Sequence, residues 1–68
     1  MPRYRVKFYR MDLSFGFLLN DNDGPDIYIP SGEIQNSDFL LAGDLVECEV
    51  EENRKGLIAR HIKKIEEV

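Results

Sequence analysis

The chain has 68 residues, of which 13 are acidic and nine are basic, and its formal net charge is −4. A chain of this length forms a single domain, here residues 1–68, with a small core, and one cysteine excludes an internal disulfide. No N-terminal segment has the pattern of a secretory signal, and no apolar run approaches the ~20 residues that cross a bilayer. We therefore expect a soluble cytoplasmic protein.

The charges are unevenly distributed along the chain. Residues 1–17 carry a net charge of +3, residues 18–53 contain ten acids and no Lys or Arg, and residues 54–68 again carry +3. Such runs often only solvate a surface, but a bipolar surface that attracts an anionic ligand is the functional alternative. Net acidity therefore does not exclude nucleic acid as a partner.

Period-two alternation of apolar and polar residues predicts an all-β protein. The predicted strands cover residues 3–10, 14–20, 26–30, 45–50 and 57–65, with turns at 20–25 and 53–56. A short helix is the alternative for the last segment, although its β-branched residues favour a strand. Five short strands in so small a chain predict a closed barrel, because closure removes exposed strand edges.

The same alternation predicts which side chains point out of the barrel. In an ideal first strand, one side carries Tyr4, Val6 and Phe8, and the other carries Arg3, Arg5, Lys7 and Tyr9. If Leu18, Ile27 and Ile29 fill the interior, then Phe15, Phe17 and Tyr28 point outward together. Gly16 would then relieve crowding on the inner side of the second strand.

The alternative arrangement places these rings in the core and the aliphatic residues outside. Aliphatic side chains are more often fully buried than Tyr, which favours outward rings. Exposed rings beside Lys7 and Arg10 are typical of proteins that bind single-stranded nucleic acid by base stacking.

The segment VKFYRMDLSFGFLLNDNDGPDIYI, residues 6–29, resembles the start of a bacterial cold-shock protein, whose pattern runs V-K-W-F-N, K-G-F-G-F-I and D-V-F-V-H-F. The resemblance continues more weakly through nearly the whole chain. It implies a five-stranded antiparallel OB-type barrel that binds single-stranded RNA or DNA, as an RNA chaperone or a regulator of gene expression. The matching positions imply binding roles for Lys7, Phe8, Phe15, Phe17 and Tyr28, and less directly for Phe39. We also expect Arg10 and Lys55 to contribute to nucleic-acid binding as flanking cations.

The chain departs from this family pattern at several positions. Phe8 replaces tryptophan, Leu13 lysine, Ser14 glycine, Pro30 histidine and Ser31 phenylalanine, while Arg10 stands where the family usually has asparagine. These changes predict weaker or narrower binding. Ideal alternation would place Phe8 inside with Val6, but the resemblance implies an outward ring, and we adopt the outward position.

The departures also leave a second hypothesis open, an OB-fold module that binds proteins of the transcription or translation machinery. Catalysis has little support, because His61 is the single histidine and has no nearby Cys or Ser in sequence. Cys48 is interpreted as a small buried hydrophobe. The acids of residues 21–26 fit turn chemistry and lack the calcium-loop pattern. We expect no enzyme activity, cofactor, metal, membrane or small-molecule substrate, and a monomer, with a dimer as the alternative.

Overall fold

The computed structural model describes residues 2–21, 23–37 and 39–66, and within them the predicted all-β barrel is confirmed. Its strands are β1 (Arg3–Arg10), β2 (Phe15–Leu18), β3 (Ile27–Pro30), β4 (Leu45–Asn53) and β5 (Gly56–Ile65). They close in the order β1-β2-β3-β5-β4. Neighbouring strands are antiparallel except β3 and β5, which pair in parallel, an exception to the antiparallel pattern predicted.

The strand ends differ from the predicted ones for local reasons. β2 begins at Phe15 and not at residue 14, because Ser14 has a φ of 59°, a left-handed conformation that does not continue a strand. β4 continues to Asn53, and the last segment is a strand, not a helix. Between β3 and β4 lie two short 3₁₀ helices, Ser31–Glu33 and Gln35–Ser37, which alternation could not predict.

The interior of the barrel is filled by aliphatic side chains. The buried core consists of Val6, Leu18, Ile27, Ile29, Ile34, Leu40, Val46, Cys48, Ala59 and Ile62. Cys48 is fully buried, as predicted, and burial raises the pKa of its thiol to about 11. No helix in the described part of the chain is long and apolar enough to cross a membrane.

Candidate functional site

A β-bulge in β1 determines which of its aromatic residues faces outward. Val6 lies opposite Leu18 but Phe8 lies opposite Phe17, so β1 has one extra residue, Lys7, at this point. The bulge reverses the alternation: Val6 stays in the core and Phe8 lies on the outer surface with 37% of its area exposed. Ideal alternation was therefore wrong for Phe8, and the outward position that the resemblance implied is the observed one.

The bulge also changes the position of Tyr9. Ideal alternation placed it with the exposed basic side chains of β1, but Tyr9 lies opposite Gly16 and packs against the core. A side chain at residue 16 would not fit beneath this strand. A Cβ built on Gly16 would lie 2.8 Å from the Tyr9 Cα and would overlap the Phe8 carbonyl oxygen. The predicted role of Gly16, relief of crowding on the inner side, is confirmed.

Four outward rings on three adjacent strands form what we call the ring cluster: Phe8, Phe15, Phe17 and Tyr28. Centroid distances are 5.8 Å for Phe8 to Phe17, 6.2 Å for Phe15 to Phe17 and 6.3 Å for Phe15 to Tyr28, the last pair being stacked at 22°. These distances are typical of interacting aromatic pairs. The rings hold one another in place, and Leu18, Ile27 and Ile29 are buried beneath them. The alternative of an aromatic core is thereby excluded.

Two of the predicted cations lie at the borders of the ring cluster, and both are paired with carboxylates. Lys7 Nζ is 2.8 Å from Asp26 Oδ2. Arg10, which lies opposite Phe15, donates from Nε and Nη2 to the two carboxylate oxygens of Asp12 at 3.0 and 2.7 Å. This pairing raises the pKa of Arg10 and lowers that of Asp12. Neither carboxylate was predicted to pair with a cation of this face.

Lys55 lies beside the ring cluster, in the turn between β4 and β5. It lines a groove of about 480 Å³ whose walls also include Phe17, Tyr28, Asp26, Asn53 and Ile58. Its backbone N–H donates to Asn53 Oδ1 at 2.9 Å, which shapes the turn. Among the residues described, no ion pair is made by its ammonium group. Lys7 and Arg10 thus have carboxylate partners, whereas Lys55 has none among the described residues.

Phe39 is not brought into the ring cluster. Its side chain is 61% exposed, and within the described ranges it has no ring contact with the four clustered rings. Its carbonyl oxygen accepts a hydrogen bond from Lys64 Nζ at 3.1 Å. Pro30 ends β3 opposite Phe15, and Ser31 begins the following 3₁₀ helix, so the ring cluster stops at this border.

His61 lies apart from the ring cluster, at a second bulge where β5 has an extra residue opposite β4. It has a φ of 52°, and its backbone N–H donates to Glu33 Oε1 at 3.0 Å. Its exposed ring places Nδ1 3.4 Å from Glu49 Oε2. In the described ranges, no group of three or more His, Cys, Asp or Glu side chains could hold a metal ion.

Comparisons with known proteins agree with this architecture, although no protein-family model matches the chain. The chain is 36% identical over 59 residues to the cold shock-like protein CspG of Shewanella violacea, and the match covers 84% of each protein. It is 33% identical over 66 residues to a cold shock-like protein of Thermotoga maritima, with 94% of this chain and 98% of the relative covered.

A third relative, the probable cold shock protein A of Mycolicibacterium smegmatis, is 33% identical over 67 residues, which cover 96% of this chain and all of the relative (100%). Among solved structures, drosophila Unr CSD456 matches with a TM-score of 0.68 over 96% of this chain and 27% of that chain. At 23% identity this structural similarity shows the fold alone, and it confirms the predicted OB-type barrel. Identity above 30% along most of its length shows that the chain belongs to the cold-shock protein family.

Proposed function

We propose that the ring cluster binds single-stranded nucleic acid by stacking bases on its exposed rings. Membership of the cold-shock family supports nucleic-acid binding in general. The observation that carries the finer proposal is the contact of four outward rings on β1, β2 and β3, because rings that support one another are already ordered before a base arrives. Proteins that bind single strands with little sequence preference use such rings together with nearby cations.

Stacking is expected to supply most of the binding free energy. A base stacked on an aromatic side chain contributes roughly 1–3 kcal/mol by alanine substitution. Lys7 and Arg10 already have carboxylate partners, so a phosphate would have to compete with Asp26 or Asp12 for them. Lys55 is the cation best placed to meet a phosphate at no such cost, since it lies at the groove beside Phe17 and Tyr28.

A titration with short single-stranded RNA and DNA oligonucleotides tests this proposal. Phe17→Ala should weaken binding by roughly 1–3 kcal/mol, because the ring meets Phe8, Phe15 and Tyr28 and borders the groove. The matched control is Leu41→Ala, which removes a 66% exposed apolar side chain outside the ring cluster. Thermal unfolding of each variant separates a binding defect from unfolding. Equal affinities for the wild type, the ring variant and the control would contradict the proposal.

A second candidate function is the binding of a partner protein, such as a component of the transcription or translation machinery, through the same face. Two observations favour it: the charges of Lys7 and Arg10 are compensated, and Met11 and Leu13 in the β1–β2 turn are 58% and 56% exposed. An apolar, charge-compensated face suits a protein partner better than a polyanion.

Salt dependence distinguishes the two functions. On a single strand, log affinity falls with log salt by about 0.7 per phosphate neutralised. If Lys55 neutralises one phosphate, Lys55→Gln should reduce the slope by about 0.7 and leave the stacking contribution intact. An oligonucleotide affinity too weak to measure at low salt, for a folded protein, would favour the protein-binding function.

A further inference from the structure

The barrel is closed by β1 and β4 over only part of the length of β4. Arg3, Tyr4 and Arg5 pair with Glu47, Val46 and Leu45. One more hydrogen bond follows, from the Cys48 N–H to the Pro2 carbonyl oxygen at 3.2 Å. Beyond this point, residues 49–53 of β4 pair with β5 on one side, and no described residue pairs with them on the other.

The backbone groups along this free side can be assigned from the bonds that precede it. The Asp44 carbonyl oxygen accepts from the Val6 N–H at 2.9 Å, and Cys48 donates to Pro2, so the even-numbered residues of β4 direct their backbone groups toward β1. By the same alternation, the N–H and C=O groups of Val50 and Glu52 point to the free side. Five extended residues at ~3.4 Å each present an edge about 17 Å long.

The side chains along this edge define the kind of partner that would fit. Glu49, Glu51 and Glu52 are all exposed. Glu51 lies 3.4 Å from Arg60 and Glu49 3.4 Å from His61, but both are surface contacts that a basic partner could replace. Where β1 does cover β4, Arg3 lies opposite Glu47, with Nη2 3.4 Å from Oε1, so the chain itself shows a basic strand paired with this acidic one. A second copy of β4 would oppose Glu to Glu, which is unfavourable between paired strands.

We propose that the edge formed by residues 49–53 of β4 binds an extended basic segment of a partner protein, which adds to the barrel as a further strand. Backbone hydrogen bonds to Val50 and Glu52 would supply affinity. Lys or Arg at alternate positions of the segment would meet Glu49 and Glu51, whose side chains lie on one face of the regular strand. This edge contains none of the four rings, and Val50 and Glu52, which carry its backbone groups, do not line the groove beside them, although Asn53 does. The proposal therefore stands independently of nucleic-acid binding.

The test uses a capped synthetic peptide, Lys-Thr-Lys-Val-Lys-Thr, and the acidic counterpart Glu-Thr-Glu-Val-Glu-Thr, added to the isotope-labelled protein. At saturation with the basic peptide, amide hydrogen exchange of Val50 and Glu52 should slow by about tenfold or more, because a strand partner shields both groups. The acidic peptide should have no effect. Phe17→Ala should leave binding of the basic peptide unchanged, since that ring lies outside the edge.

A charge reversal with a matched control tests the contribution of the acidic side chains. Glu51→Lys should weaken binding of the basic peptide by about threefold to tenfold. Because the change also removes the contact of Glu51 Oε2 with Arg60 Nε at 3.4 Å, thermal unfolding of the variant checks that the fold is kept. Glu66→Lys makes the same change in net charge on an exposed residue beyond the far end of β5 and should have little effect.

Three results would overturn the proposal. The first is no binding of the basic peptide at millimolar concentration by a folded protein. The second is binding without slower exchange at Val50 and Glu52, which would place the peptide elsewhere. The third is protection of these two amides from exchange in the absence of peptide, if the protection grows with protein concentration. That result would identify a second copy as the partner of the edge.

Discussion

Gly16→Ala tests the packing on which the ring cluster depends. The new Cβ would lie 2.8 Å from the Tyr9 Cα and would overlap the Phe8 carbonyl oxygen. Both are backbone atoms, so neither can rotate away, and β1 and β2 would have to separate. Overpacking of a core typically costs about 1–3 kcal/mol. The third contact, Tyr9 Cδ1 at 2.8 Å, belongs to a ring packed against the core, but the two backbone contacts alone place this case at about 2–3 kcal/mol. For 68 residues the total stability is about 3–10 kcal/mol, so the loss is substantial.

Urea unfolding followed by circular dichroism measures this loss, and Gly32→Ala is the matched control. A Cβ on Gly32 has nothing within 4 Å, so the control should change stability by no more than about 0.5 kcal/mol. Gly16→Ala should also weaken oligonucleotide binding at temperatures where it is folded, since the displaced β1 strand carries Phe8. If the two alanine variants unfold at the same urea concentration, the close approach of β1 to Gly16 is refuted.

Three further predictions concern single residues. Ser14→Gly should stabilise the protein by about 1 kcal/mol in urea unfolding, because glycine adopts the φ of 59° without strain, whereas Ser31→Gly, where φ is not positive, should not stabilise it. The hydrogen bond from the His61 N–H lowers the pKa of Glu33, so its contribution to folding stability is complete above about pH 4.5 and is lost as the pH falls. Glu33→Gln should reduce this loss of stability at acid pH, measured by thermal unfolding at a series of pH values, and an unchanged loss would contradict the prediction. The raised pKa of the buried Cys48 thiol should make alkylation by iodoacetamide at pH 8 far slower in the native protein than in urea, and equal rates would show that the thiol is accessible.

Much of the fold follows from local patterns in the sequence. Alternation identified all five strands, and turn residues separated most of them. The outward positions of Phe15, Phe17 and Tyr28 were predictable because β2 and β3 are short and regular, paired without a shift from Phe15 opposite Pro30 to Leu18 opposite Ile27. In such strands the identity of the inner residues determines the orientation of the outer ones.

The two bulges could not be predicted from alternation, because a bulge is a property of a strand pair and not of one strand. The extra residue at Lys7 depends on how Val6 and Phe8 are matched to β2, which lies several residues away. The family resemblance supplied the position of Phe8 that local reasoning lacked. The Lys7 to Asp26 ion pair spans 19 positions and has no local signal, whereas Asp12, two residues from Arg10, could have been noticed as its partner.

The ion pairs at the borders of the ring cluster limit how much positive charge can contribute to the proposed binding of nucleic acid. Lys7 and Arg10 do not present free positive charge, since each is held by a carboxylate on the same face. Surface ion pairs of this kind contribute only about 0–1 kcal/mol to folding stability. A phosphate can therefore displace the carboxylate at small cost, but the exchange adds little to the binding free energy. Discrimination between a single strand and a duplex would then come from the rings, because only an unpaired strand offers its base faces for stacking.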